Sequence, residues 1–507
     1  MSINDILAKI WLPQTPLQQL IVAVVVVTCS YFYYKFFVAP VRRLRKIGLP
    51  FPAPTALTGN IFDYGPTKQH IAQLEWQKKY GTRYATQFFK APAVWIAEPE
   101  LLKTIMVKDF SNFANRFSFN AALPYFNKTL LELKNQDWKR VRTILIPTFT
   151  ASKLKLIVPL IKDTADILID KLVKADEKGE NIDLWKASGM FSMKVILGTA
   201  FGLEFENEEQ EVKLTNAAGL FFRQDFGIRQ TIFQLIFFAS AKLFLFLEPR
   251  CGGKVVKSIY YIVGITKNAI QERRNNMNAG IPCRRDMLQH MIEAGGDDKL
   301  TDDEIISQSF IFLLAGYETT QNTLAFVCYS LATNPDVQQK LIDEIDDKCP
   351  DEDSVTYDVI SELTYMDMVV SEALRMYPPA SFINREVNED ATVDGTYIPK
   401  DVMLSFPIYA MHHNPKYWPD PERFDPERFS SEAKSEHHPF SYLPFGSGPR
   451  NCIGMRLALL EVKMALVKLL QKIEFITTKD TEIPLQLKSL STLSPENGVY
   501  LGIRKRY

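Results

Sequence analysis

The chain has 507 residues, room for two or three average domains or one large enzyme domain. Its 59 basic residues balance 59 acidic ones, which leaves no nucleic-acid footprint, and a content of 46% hydrophobic and 12% aromatic residues can bury a large core. Six cysteines (29, 251, 283, 328, 349 and 452) show no paired spacing and no C-x-x-C, which reads as a reducing compartment without disulfides.

No charge falls between Lys9 and Lys35, and LQQLIVAVVVVTCSYFYY is long enough to cross a bilayer as a helix. Tyr31, Phe32, Tyr33 and Tyr34 form an aromatic belt at one interface. Lys35, Arg42, Arg43, Arg45 and Lys46 follow, with no acidic residue before Asp63, so this flank is expected on the cytosolic side. A cleaved signal peptide fits less well, because the apolar stretch is too long and no small-residue cleavage site follows. The organisation expected is an anchor over 1–38, a basic and proline-rich linker over 39–60 stiffened by Pro50, Pro52 and Pro54, and one body over 61–507. Asn127 heads an NKT sequon that should stay unmodified on the cytosolic face.

Within the body, RYATQFFKAPAVWIA (83–97) predicts a hairpin and ATVDGTYIPKDVMLS (391–405) predicts strands about an Asp-Gly turn. Helical periodicity covers 152–174, 254–278, 303–332, 335–347, 360–377 and 454–472. The two β segments lie far apart in sequence and are expected to pair, which argues for a single, mainly helical domain. A second apolar run, TIFQLIFFASAKLFLFLEP (231–249), fits a buried core helix or a surface segment dipping into the bilayer.

Cys452 ends the loop PFGSGPRNCIG (444–454), and the following run places Leu457, Leu460, Met464 and Leu469 at helical spacing. The cysteine therefore lies at or just before a helix N-terminus, where exposed N–H groups favour a thiolate. The glycines let something flat and bulky approach the backbone. Such a thiolate is a nucleophile or a metal ligand. Zinc needs about four ligands, and His437 and His438 have no cysteine partner; a cysteine protease needs a histidine base, and nothing nominates one. One thiolate with a glycine-lined approach suits haem iron.

PFGSGPRNCIG resembles the haem-binding loop of the cytochrome P-450 superfamily, the haem-thiolate monooxygenases, and the resemblance covers essentially the whole chain. EALR (372–375) resembles the family's E-x-x-R and PERF (426–429) the segment whose arginine joins it; AGYETT (315–320) resembles the oxygen-binding motif and WKRVR (138–142) the C-helix motif. The wording of AGYETT, HHNPKYW and PFGSGPRNCIGMR is most similar to the animal microsomal family 3 enzymes and their relative thromboxane synthase.

The resemblance implies a mainly α fold with a small β portion, a triangular helical prism around haem b, behind an N-terminal transmembrane helix. It implies Cys452 as axial ligand of the haem iron, with Phe445 in the same loop. Trp138 and Arg142 share a helix face; by resemblance they hold the haem propionates with Arg116, Arg385 and Arg450. Glu372 and Arg375, one helical turn apart, would form a structural network with Arg428. Thr319 and Glu318 would deliver protons, in a helix that a mid-helix threonine and Gly316 both loosen. Phe312, Ala315, Ala380, Ser381, Phe382, Thr492 and Leu493 would line an apolar substrate pocket, with core packing the competing reading for Phe312.

The chain lacks a flavin or nicotinamide fingerprint, so electrons from NADPH must come through a partner, by resemblance the NADPH–cytochrome P-450 reductase with cytochrome b5 as a further donor. Lys139, Arg140, Lys153 and Lys155 form its basic docking surface or a plain solvated face. The location implied is the endoplasmic reticulum membrane, single-pass, with the catalytic domain cytosolic. Two rivals remain at this level. An isomerase of lipid peroxides would not need Glu318-Thr319, and a non-catalytic haem sensor would not need the oxygen-activation motif.

Overall fold

The first helix, Pro16–Tyr33, opens on a reciprocal cap in which Thr15 and Gln18 exchange side chain-to-backbone hydrogen bonds. The computed structural model describes residues 15–506 apart from 56–57, 66, 90, 119–122, 206, 223–235, 237–239, 252, 295–298, 401 and 490–491. No residue of this helix is buried within the protein. Helical structure continues through a π-helical turn, Tyr34–Val38, into Ala39–Ile47, and stops at Gly48 with φ 78°. Among the described residues, Pro16–Ile47 is the one helix long and apolar enough to cross a membrane. Leu44 and Ile47, one turn apart, are buried, and Pro50 O accepts a bond from Ala85 N at 2.9 Å. The segment expected to be an extended linker is thus helical as far as Ile47 and seated on the body.

The predicted hairpin is present as β1 (Arg83–Phe88) and β2 (Ala91–Ile96). The chain then supplies β3 (Ile383–Glu386), β4 (Ala391–Val393), β5 (Thr396–Ile398) and β6 (Met403–Phe406). The β4–β5 hairpin turns at Asp394 and Gly395, both with positive φ. β6 runs parallel to β2 and antiparallel to β3, giving the order β1-β2-β6-β3. The two β segments, some three hundred residues apart by these bounds, do pair as expected. The remaining strands, β7 (Ile473–Ile476), β8 (Leu487–Ser489), β9 (Leu493–Pro495) and β10 (Gly502–Lys505), form two small antiparallel pairs, β7 with β10 and β8 with β9.

The rest is mainly helical, organised about Asp302–Thr333, an unbroken helix of 32 residues that starts on a Thr301–Glu304 capping box. Most of its side chains are buried, so we call it the central helix. It lies against Leu184–Ala200, and Gly316 is what lets them approach: a Cβ there would stand 2.8 Å from Ile196 Cδ1.

Two predicted helices are each split. The run 152–174 divides into Ala151–Lys155 and Val158–Glu177, the second with Pro159 in its first turn. The run 360–377 divides into Tyr357–Glu362 and Thr364–Met376, because Glu344 of the helix Pro335–Lys348 accepts from Tyr365 N and Met366 N, both at 2.8 Å. That cap comes from another element and leaves no local signature.

Of the second apolar run, 231–235 and 237–239 lie outside the described residues, so its reading there is not reached. Its end forms the helix Ala241–Arg250, capped by Ser240, with Phe244 buried and Leu243 and Phe246 exposed. This part is half in the core and half on the surface.

Candidate active site

The loop 444–454 is closed by Cys452 N donating to Phe445 O at 2.9 Å and Asn451 N to Gly448 O at 3.1 Å. Gly448 has φ +70°, and a Cβ on it would lie 2.1 Å from Met106 O, so no other residue fits there. Gly454 caps the helix Met455–Lys472. The first free N–H groups of that helix, on Gly454 and Met455, point at the Cys452 sulfur. Crowding by the surrounding protein pushes the Cys452 thiol up, although the residue keeps accessible surface, against the pull of those donors and of Arg116 and Arg142. The donors at the helix N-terminus favour a thiolate, the surrounding protein opposes it, and a bound metal ion deprotonates such a thiol outright.

Cys452 keeps accessible surface, and so does Ala315, amid buried Leu313, Leu314 and Tyr317 on the central helix. Phe149 links the two elements, 3.8 Å from the Cβ position of Gly454 and edge-on to Phe312 with ring centroids 5.8 Å apart.

Four guanidinium groups gather beside the loop. Arg142 donates to Asn451 O (3.0 Å) and Asn451 Oδ1 (2.7 Å). Arg450 donates to Ala114 O, Leu130 O and Leu133 O at 2.9, 3.1 and 2.6 Å, and lies 4.3 Å above the Trp138 ring. Arg116 reaches Arg450 O at 3.4 Å, and Arg385 reaches Asn384 O at 2.8 Å. Burial, reinforced by neighbouring guanidiniums, pulls Arg385 down to about 9 and Arg450 down to about 8. Glu132 is the carboxylate within reach of Arg116 and Arg450, and burial pushes it up, so it answers the cluster poorly. Three buried donors here have no hydrogen-bond partner: Trp138 Nε1, Arg116 Nε and Arg385 Nε.

A buried, mutually repelling set of cations with orphaned N–H groups is costly unless an anion answers it. A flat group carrying two carboxylates does so, and the glycine-lined loop with a single thiol suits its metal centre. The residues present therefore fit haem.

Behind the loop, Glu372 and Arg375 form a fully buried bidentate pair at 2.7 and 2.9 Å, and Arg375 also donates to His412 O and Pro421 O, both at 2.8 Å. Arg428 Nε stands 3.4 Å from Glu372 Oε1, an ion pair without an aligned hydrogen bond. Sequence reasoning missed His412. Its Nδ1 pairs with Arg375 O at 3.1 Å while its Nε2 accepts Leu443 N at 2.9 Å, so a neutral imidazole joins the network to the base of the loop. The motif HHNPKYW was the signal, used for likeness but not for role.

The remaining sequence-predicted residues divide. Thr319 Oγ1 donates to Ala315 O at 2.6 Å. Glu318 is buried and accepts from the Thr492 hydroxyl, so two residues expected in separate roles are in contact. Phe312, Ser381 and Leu493 are buried, whereas Ala315, Ala380, Phe382 and Thr492 keep accessible surface. Phe382 packs on Trp95 and Phe88 of the sheet, at 5.5 and 6.4 Å. Phe445 is half-buried against the main core. On the basic face, Arg140 is paired with Glu304 and Lys155 with Asp358, which reduces the charge open to a partner.

The family profile described as Cytochrome P450 matches residues 49–502. Cytochrome P450 3A6 of Oryctolagus cuniculus is 37% identical over 471 residues, covering 91% of this chain and 92% of that protein. Cytochrome P450 3A5 of Homo sapiens and 3A2 of Rattus norvegicus are each 38% identical, over 475 and 478 residues, with the same shares covered. An apolar N-terminal helix, as microsomal relatives of this kind imply, suits anchoring in the endoplasmic reticulum membrane. With the family profile spanning the body and identity sustained over nine-tenths of the chain, this protein belongs to the cytochrome P450 family, the haem-thiolate monooxygenases that act on lipophilic substrates with electrons from a redox partner.

Proposed function

We propose that Cys452 would hold the haem iron through its sulfur and that Trp138, Arg116, Arg142 and Arg385 would hold the propionates, with Arg450 serving them through its two unspent N–H groups and Phe445 contributing from the same loop. The observation that carries this reading is the set of three orphaned donors within the cluster of arginines. When bound, haem supplies the chemistry by which one atom of dioxygen enters the substrate. The Cys452 sulfur would hold the iron, while the network from Glu372, Arg375 and Arg428 through His412 holds its loop still. Glu318 takes protons from solvent, and Thr319 presents them to the groove after its hydroxyl turns from Ala315 O.

Ala315, Ala380, Phe382 and Thr492 are the pocket residues with surface to offer, an apolar wall with one hydroxyl; steroids, fatty acids and foreign lipophilic compounds fit it. Electrons come from NADPH through the microsomal cytochrome P450 reductase, with cytochrome b5 as a further donor. Among the described residues Lys139 and Lys153 have no acidic partner, unlike Arg140 and Lys155, and are the parts of the basic face open to a docking partner. The basic flank after the anchor supports a cytosolic body, a single catalytic domain over 61–507 behind an anchor over 1–38 and a segment over 39–60.

Carbon monoxide added to the reduced protein gives the red-shifted Soret band of thiolate-ligated haem, and Cys452→Ser abolishes it. An unchanged band in that variant overturns the ligand assignment.

A further inference from the structure

Both polar groups of the Glu318–Thr319 pair are already engaged. The Thr319 hydroxyl has one proton, and it is given to Ala315 O at 2.6 Å. The buried Glu318 carboxylate accepts from Thr492 Oγ1, a residue 174 positions later in the turn that leads into β9. Leu493, beside Thr492, is fully buried and pinned through its backbone on both sides: its N–H donates to Pro379 O at 2.8 Å, and its carbonyl accepts from Asn322 Nδ2 at 2.9 Å. Asn322 lies one turn beyond Glu318 on the central helix and is itself held by Trp185 Nε1 at 2.6 Å. Thr492, half-buried, is where this pinned turn meets accessible space. A hydroxyl donating to a carboxylate is a charge-assisted bond of the stronger kind, so it holds the acid against the turn until contacts of comparable strength compete for either partner.

We propose that Thr492 is a positioning residue that latches the Glu318 carboxylate against the C-terminal turn at rest, and that substrates large enough to press on this turn release the acid to Thr319. The proposal rests on the reading of Glu318–Thr319 as the proton source. Once released, Glu318 gains a proton from solvent and passes it to the Thr319 oxygen, while Thr319 gives its own proton to the groove. The chain thereby links substrate size to the delivery of protons, and small substrates leave more of the reducing equivalents to form hydrogen peroxide.

The test uses the membrane-reconstituted holoenzyme with its reductase and NADPH, as wild type, Thr492→Val, Thr492→Ser, Glu318→Gln and the double variant Thr492→Val/Glu318→Gln. For one small and one large lipophilic substrate, the fraction of NADPH electrons recovered in product rather than in hydrogen peroxide is measured. Binding is followed separately by the Soret shift, and backbone hydrogen exchange of residues 487–495 is measured in the resting protein. Wild type and Thr492→Ser are expected to favour the large substrate several-fold, with exchange in 487–495 rising when it binds. Thr492→Val brings the small substrate up to the large one, so that the ratio falls to about one at saturating substrate; its resting exchange is already raised, and it adds nothing on top of Glu318→Gln. A Thr492→Val ratio like that of wild type, with Glu318→Gln impaired, overturns the latch and leaves the acid reading standing. Unchanged fractions in Glu318→Gln overturn the acid reading, and the latch with it.

Discussion

Arg450 and Trp138 show how one residue can serve fold and cofactor at different atoms. The Arg450 guanidinium binds three backbone carbonyls between residues 114 and 133, which fixes the segment ahead of the helix Asn135–Leu145 against the loop. The Trp138 ring supports that guanidinium, while its indole N–H has no partner. The two jobs separate by mutation. Trp138→Phe keeps an aromatic, though smaller, ring and removes one donor to a charged acceptor, a loss of about 1.5–3 kcal/mol. Haem should transfer to an apoglobin acceptor roughly tenfold faster or more, with little change in the unfolding midpoint of the haem-free protein. Arg450→Ala leaves buried carbonyls unanswered and should lower the unfolding midpoint and haem content together. The loop, the cysteine and the arginines were legible in sequence because each is a chemically distinctive side chain in a short motif. Thr492 on Glu318 was not, because that contact joins residues 174 positions apart and neither carries a local mark of the other.

Elements were legible in proportion to how far their ends are set locally. The central helix, with its own capping box and unbroken periodicity, was read to within a residue at each end. The break at Leu363 was not, since Glu344 supplies its cap from a neighbouring helix. Gly316 is a parallel case. Its cost to helix propensity was visible in the sequence, whereas its benefit, close approach to Ile196, belongs to packing. Gly316→Ala gains about 1 kcal/mol of propensity but drives a methyl to 2.8 Å from Ile196 Cδ1. Overpacking of this kind costs about 1–3 kcal/mol, so the variant should be less stable by roughly 1 kcal/mol in denaturant melts. Ile196→Val in the same background removes Cδ1 but keeps Cγ1, 2.9 Å from the new methyl, and should recover only part of the loss. An equally strong defect without Gly316→Ala would show that Ile196, not the approach, sets the cost.

Across the whole molecule, three histidines are buried: His70, His412 and His413. Burial holds His70 down to about 4, His413 down to about 3 and His412 well below its ordinary range. Unfolded, each titrates near about 6.5, so below that pH the unfolded chain binds protons that the native protein refuses, and stability falls as pH falls. The window runs from about 6.5 to about 4, where His70 begins to protonate in the fold. Each histidine contributes a slope of at most about 1.4 kcal/mol per pH unit. His413→Phe keeps a ring to stack on Tyr409, now 4.1 Å away, and should flatten the acid limb by about that amount in unfolding measured from pH 7.5 to 5. An identical slope in the variant excludes His413 from the effect. Topology is tested at the same scale: protease added to sealed microsomes should digest the body and leave Asn127, exposed in the fold, free of glycan. A protected body or a glycosylated Asn127 reverses the orientation.

The helix that leaves the bilayer does not end before it reaches the body, since Leu44 and Ile47 at its far end are embedded beside the β1–β2 hairpin. The anchor is consequently a shaft and not a tether. Turning it turns the enzyme. Each residue added to a helix rotates everything beyond it by about 100° and advances it by about 1.5 Å. One alanine inserted within 35–38 should therefore leave the fold and the carbon monoxide spectrum as they were, yet swing the catalytic body to a new heading over the membrane. Leu243 and Phe246 would change their bearing to the lipid, and reductase-driven turnover should fall while turnover driven by a peroxide added from solution does not. Three or four inserted residues, close to one full turn, should restore the heading and much of the rate.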